Sequence, residues 1–167
     1  MGYDHISFPA DLTQKDKELI VRQCENQKAT SLQQVLGFAV AYDLCKKRML
    51  RGQWFDHPET LVKLILDFAF VIEGENETGF RHTPVTFANM EHAVEPGNIK
   101  RAMAGFVDAY VDCAIPAEDL YKEFELIHPF KDGNGRIGDL LWKMATYRQK
   151  GAWPETLPPD VFGKDKK

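Results

Sequence analysis

Cysteine is scarce in this chain: Cys24, Cys45 and Cys113 are odd in number, widely spaced and outside any CxxC or Cys/His pattern, which argues against a disulfide framework and a zinc site. A reducing cytosol is the simplest compartment for it, although an effector exported into another cell would have the same composition. Long apolar runs are missing too. The most apolar stretch, Leu61 to Ile72, is interrupted by Lys63 and Asp67 and is too short to span a bilayer, and the first ten residues contain acid and no apolar segment of the signal-peptide kind. Neither sign of charge dominates. A formal net charge of −4 gives no bulk attraction to nucleic acid or to anionic lipid, so neither is expected as a partner and any anionic ligand must be handled locally. With 167 residues, 44% of them hydrophobic, there is material for one domain spanning 1–167 with its own core, and no room for a second catalytic domain.

What the chain does have is concentrated in residues 128–136, His-Pro-Phe-Lys-Asp-Gly-Asn-Gly-Arg. Gly133 and Gly135 lack a Cβ, so backbone N–H groups there can turn toward an anion as a nest. Asn134 between them can donate its amide to a phosphate oxygen. The apolar run that follows, Ile137, Leu140, Leu141 and Met144, has helical spacing and places the loop at a helix N-terminus, which also favours anions. Arg136 adds a permanent planar cation, and Asp132, the only carboxylate in the loop, suits Mg²⁺ held against a diphosphate. His128 is the side-chain type whose ordinary pKa lies near neutrality, which suits it to take a proton from a hydroxyl.

Helix signals recur along the chain. Thr13 with Asp16 reads as a capping box for a helix to about Gln27, and Thr30 with Gln33 as one for a second toward Met49. A third begins at Asp56-His57-Pro58-Glu59, with Leu61, Leu64, Ile65, Phe68 and Ile72 on one face. Asn98 is placed to cap a fourth, Pro116 to start a fifth that delivers His128 at its end, and the sixth runs from about Ile137 to Gln149. The stretch 151–167 is a proline-containing tail with a frayed end. Between the third and fourth helices a polar turn, 73–79, precedes Phe80 to Phe87, whose β-branched and aromatic content predicts a short hairpin or edge strand around Pro84. The four remaining histidines have no ligand spacing.

The nine-residue stretch closely resembles the signature of the Fic (filamentation induced by cAMP) family, HPFx[DE]GN[GK]RxxR, and all eight specified positions of its first nine match. The resemblance covers roughly residues 57–150. It implies a mainly α fold, a Fic-type helical domain of about six helices with a short β-hairpin flap. It also implies an adenylyltransferase-like enzyme that moves AMP or a related phosphate-containing group from a nucleotide to a protein hydroxyl. By that resemblance His128 is the base, Asp132 the Mg²⁺ ligand, and Asn134 and Arg136, with Gly133 and Gly135, the phosphate contacts. Phe130 anchors the loop in the core. Gly79, Phe80 and Arg81 match the opening of the family's flap, which with Val85 would align a target segment by strand addition.

The last motif position departs from the family. Asp139 stands where AMP-transferring members carry a second arginine that meets the γ-phosphate, and a carboxylate there would repel triphosphate by an amount corresponding to about tenfold in affinity. It would equally suit a first-turn acid that complements the helix dipole. Three readings stay open: a donor without a γ-phosphate, a reversed ATP as in the Doc-type kinases, or binding without turnover. Doc-type relatives carry Ala and Lys where this chain has Gly133 and Gly135. AMP transfer ranks first, with ATP as donor and Mg²⁺ as cofactor, ahead of UMP transfer and Doc-like phosphorylation. The alternative is an attenuated nucleotide- or protein-binding module. The target would be a hydroxyl-bearing protein, including the chain itself. The family's inhibitory pattern, [ST]xxxE[GN], is absent: Glu25-Asn26 and Glu73-Gly74 have its ending, but Val21 and Ala69 replace the hydroxyl residue. Control would then come from a separate inhibitor protein, if at all.

Overall fold

In a computed structural model that describes residues 3, 5–74 and 79–161, the local signals become six helices. Helix α1, Gln14–Asn26, opens with the expected box: the Asp16 N–H donates to Thr13 Oγ1 and the Thr13 N–H to Asp16 Oδ2. Helix α2, Leu32–Leu50, starts one residue later than expected, because Ser31 with Gln34 forms the box instead of Thr30 with Gln33. Both pairs have the same spacing, so the pattern alone did not separate them. Helix α3, Pro58–Glu73, has Pro58 in its first turn, where a missing N–H removes no hydrogen bond. A short 3₁₀ turn, Pro96–Asn98, leads into α4, Ile99–Asp112; Asn98 sits at the cap position but makes no side-chain capping bond. Helix α5, Ala117–Ile127, follows Pro116, and α6, Asn134–Lys150, ends at Gly151 in the left-handed conformation.

The apolar stripes of all six helices meet in one continuous core, with α2 packed on α3 and α5 on α6. Each fully buried large side chain there, such as Phe38, Phe68, Phe106 or Phe124, contributes about 1.5–3 kcal/mol of transfer free energy. Helix α6 is buried on nearly every side from Ile137 to Ala145, as expected of a central helix, so the loop before it lies at the entrance to the core. The tail folds back on α2 and α6: Trp153 packs edge-on against Tyr42 and donates to its hydroxyl, and Thr156 O accepts from Lys143. No helix among the described residues is long and apolar enough to cross a membrane.

The segment between α3 and α4 corrects the sequence reading. No strand forms among the described residues; there is one isolated antiparallel bridge, Thr86 to His92, flanked by Ala93 N–H to Val85 O at 3.0 Å and Phe87 N–H to Glu91 O at 2.8 Å. The chain therefore reverses at Phe87–Met90, with Met90 at φ 70°. Arms of about three residues are too short to make a stable ladder by themselves. Residues 75–78 of the expected polar turn, and the expected frayed end at 164–167, lie outside the described residues.

Candidate active site

His128 is the residue immediately after α5, half-buried and in the left-handed conformation (φ 49°, ψ 60°), which for a non-glycine residue costs about 1–2 kcal/mol. Its N–H still closes on Phe124 O at 2.9 Å, while its carbonyl accepts from Arg81 Nε at 2.6 Å. The edge of one ring faces the other at Phe87 and His128, with centroids 5.4 Å apart. Arg81 itself is 4% exposed and turned inward: besides His128 O it donates to Thr83 O, Val94 O and Ile127 O. Phe80 packs on fully buried Phe130 at 5.6 Å. Gly79 and Val85 lie half-buried in the same segment.

Helix α6 begins three residues before Ile137, which places Asn134, Gly135 and Arg136 in its first turn. Gly133, at φ 88°, is the cap residue, and no side chain caps the helix. Gly133 in the left-handed conformation runs straight into the helix N-terminus, with the helix dipole behind it. Asn134 is used differently from the sequence expectation. Its amide is buried and folded back on the loop, Oδ1 accepting from Phe130 N–H at 2.9 Å and Nδ2 donating to Phe130 O at 2.7 Å. It ties the loop to its anchor.

Arg136 is 3% exposed and pairs with Glu73 at the end of α3, while its Nε lies 3.5 Å from Gln27 Oε1. Its remaining nitrogen, Nη1, is buried without a hydrogen-bond partner among the described residues. A Cβ on Gly135 would collide with the Gln27 amide, and one on Gly133 would come within 3.3 Å of the Glu73 side chain. The two glycines thus form a cradle, and the groups lying in it are a carboxylate and an amide. The Glu73 carboxylate lies on Arg136 at the mouth of this cradle. Cys24, buried beside this arginine, has its thiol pushed up to about 11 by burial, against the pull of Arg136, and is therefore an inert protonated thiol.

Asp132 is exposed at the turn of the loop. No cluster of three or more His, Cys, Asp or Glu side chains able to hold a metal occurs among the described residues, so Mg²⁺ would rest on Asp132 together with the ligand's own oxygens, the pattern usual for this ion. Asp139 lies in the second turn of α6, beyond the reach of a first-turn dipole effect. It is 1% exposed, paired with fully buried Lys143, and accepts from Gln23 Nε2 at 3.0 Å. Lys143 also donates to Thr156 O of the tail at 3.0 Å. The acid is neutralised and enclosed, and presents no bare charge to a ligand.

The sequence reading missed Gln23, Gln27, Glu73 and Lys143. Only Lys143 had a local signal, its spacing of four residues from Asp139 on a helix. Glu73 lacks the hydroxyl residue of the inhibitory pattern, which Ala69 replaces, yet it engages a motif arginine, at the first arginine position.

Residues 54–145 match the model of the Fic/DOC family. A Fic family protein from Desulfovibrio desulfuricans superposes with a TM-score of 0.57 at 20% identity over 84% of this chain and 44% of its own. A Fic domain containing signaling protein from Bacteroides thetaiotaomicron superposes with a TM-score of 0.54 at 22% identity over 84% of this chain and 58% of its own. The chain thus spans about half the length of these solved relatives. A comparison with curated proteins gave no match.

Proposed function

Because the chain belongs to the Fic/DOC family, we propose that it transfers AMP, or a related phosphate-containing group, from a nucleotide to a protein hydroxyl, with the 128–136 loop as the active site. The observation that carries this reading is the Glu73 carboxylate on Arg136: an anionic oxygen already sits on the loop's fixed cation, at an uncapped helix N-terminus. In the reaction the acceptor hydroxyl oxygen bonds to the α-phosphorus, the bond from that phosphorus to the bridging oxygen breaks, and the diphosphate leaves. His128 takes the hydroxyl proton as the new bond forms. Arg136 and the amides of the first turn of α6 hold the phosphates, so the protein's contribution is positioning and charge stabilisation. Asp132 would hold Mg²⁺, whose contribution when bound is to neutralise charge on the departing diphosphate. The 79–94 segment, through Val85 and the arm beside it, offers backbone to the target, which includes the chain itself. Cytoplasmic action on such a target, with ATP as the first-choice donor, completes the proposal.

A second reading is favoured by the same pair. With Glu73 and Gln27 occupying the cradle, the site holds a donor only after Glu73 gives way, which describes an attenuated or regulated nucleotide-binding module. Intact-mass analysis of wild type and His128→Ala, incubated with Mg²⁺ and separately with ATP, UTP, GTP or CDP-choline, separates the two. A mass increase in wild type alone is expected and identifies the transferred group. Affinity for a nucleotide with no increase from any donor would establish the binding module instead.

A further inference from the structure

We propose that Arg81 is a positioning residue for His128, setting the backbone conformation from which its imidazole acts. The inference rests on the role of His128 proposed above. The direction of a Cβ is fixed by the two peptide planes that flank its Cα. At His128 both planes are held by Arg81: Nη2 donates to Ile127 O at 3.0 Å and Nε to His128 O at 2.6 Å. The next carbonyl, Pro129 O, accepts the backbone N–H of Arg81 at 2.9 Å. Three consecutive carbonyls around one left-handed histidine are thus bonded to a single residue distant in sequence.

The geometry needs an arginine. Its planar fork offers several N–H donors at fixed angles, and the acceptors come from three separate pieces of chain: the end of α5, Thr83 O at 2.8 Å, and Val94 O. Lysine carries its three donors on a single nitrogen at the end of a flexible stem, so it cannot reach these four spread acceptors at fixed angles. Thr83 and Val94 lie on either side of the chain reversal, and from that reversal Phe87 places its ring against the imidazole. One segment therefore holds both the backbone and the ring of His128. The sequence assigned Arg81 to the surface that receives a target, whereas its buried side chain works on the residue that would take the target's proton.

A helix C-terminus always leaves carbonyls needing donors, so an arginine there can serve as a cap alone. The test distinguishes that role from positioning. Wild type, Arg81→Lys and Arg81→Ala are labelled at histidine, and His128 is identified by its loss in His128→Ala; the four other histidines are exposed and serve as internal references. Phe106→Leu, a core change remote from the loop, controls for general destabilisation. In both Arg81 variants the His128 resonances are expected to move toward those of the exposed histidines, while Phe106→Leu leaves them in place. Mg-ADP affinity by calorimetry should stay within about twofold, and kcat for self-modification should fall by about tenfold or more with the donor KM unchanged. A His128 signal that stays put in Arg81→Lys, with only the melting temperature lowered, would reduce Arg81 to a cap and overturn the proposal. Should Arg81→Ala fail to fold, Arg81→Lys decides alone. Wild type that transfers nothing from any donor removes the base role of His128, and the resonance comparison still judges Arg81 separately.

Discussion

Arg136 and Asp139 lie about one turn apart on α6, each buried against an opposite charge, yet the two pairs are built differently. Asp139 and Lys143 belong to the same helix, and each has a further partner: Gln23 for the acid and the Thr156 carbonyl for the base. Arg136 pairs with Glu73 of another helix; each member again has an amide beside it, Gln27 at 3.5 Å from the Arg136 Nε and Gln34 donating to Glu73 at 3.3 Å, but Arg136 Nη1 has no partner among the described residues. A buried ion pair offsets the desolvation of its charges only when the remaining hydrogen-bonding capacity is also met. By that measure the Asp139 pair is a closed structural unit that joins α1, α6 and the tail. The Arg136 pair joins α6 to α3 and keeps one guanidinium nitrogen over, and on the proposed function its carboxylate is the group exchanged for a ligand anion.

The largest effect should come from opening the closed unit. Asp139→Ala leaves a fully buried ammonium with one carbonyl and the faces of Tyr42 and Trp142 for partners among the described residues, and is expected to lower stability by about 3–5 kcal/mol, on the order of 10 °C in melting temperature. Chemical denaturation checks this, and the double variant Asp139→Asn with Lys143→Met should be milder than the single change. Asp139→Arg, which restores the family's second arginine, would set two cations against each other in the interior and should give insoluble protein without any gain in transfer. Recovery of soluble, folded Asp139→Arg would show that this pair is looser than its geometry implies.

Opening the other pair should have a smaller and recoverable effect. Glu73→Ala leaves the Arg136 guanidinium unpaired beside the glycine cradle, at a cost of about 2 kcal/mol without ligand. Mg-ADP at about a hundred times its dissociation constant should return that loss, since binding only to the native state contributes about 2.7 kcal/mol there. Removal of the competing carboxylate should also tighten Mg-ADP binding by about tenfold. Thermal shifts for Glu73→Ala and Asp139→Ala, with and without Mg-ADP, set the two pairs side by side. Equal rescue in both variants, or in neither, would remove the distinction.

The same contrast explains what could be read from the sequence. The helices were legible because their signals are local: the Thr13–Asp16 box, Pro58 in a first turn, and apolar residues at helical spacing whose faces did meet in the core. The loop was legible because its residues are contiguous. The partners were not, because Glu73, Gln27 and Gln23 reach α6 across 63, 109 and 116 positions, and no local pattern records such contacts. The bonds of Asn134 to Phe130 were not legible for a related reason. Its amide suits a phosphate oxygen or a carbonyl equally well, and only the folded loop shows that Phe130 takes it. The reversal at Phe87–Met90 was missed because the β-rich composition of 80–87 drew attention to the arm that precedes it.

A third pair gauges how much of this follows from burial. Asp16 is buried, but Lys46 remains partly exposed, and the acid also accepts from the Thr13 N–H and the Tyr42 hydroxyl. Burial alone would raise its pKa; the bonds from Lys46 and Thr13 outweigh that and hold it below the ordinary carboxylate value. A carboxylate whose pKa is depressed by folding contributes stability that is fully present above its unfolded value, near 3.9, and is lost as pH falls through the lower folded value. Asp16→Asn should therefore flatten the acid limb of the stability curve below about pH 4 and lower stability at neutral pH by about 1 kcal/mol, the scale of a helix cap. Guanidinium melts between pH 3 and 7 measure both effects. Because a partly exposed lysine can find water when its partner is lost, this change should be the mildest of the three, and a loss as large as that of Asp139→Ala would mean that burial of the acid, more than enclosure of the whole pair, sets the cost.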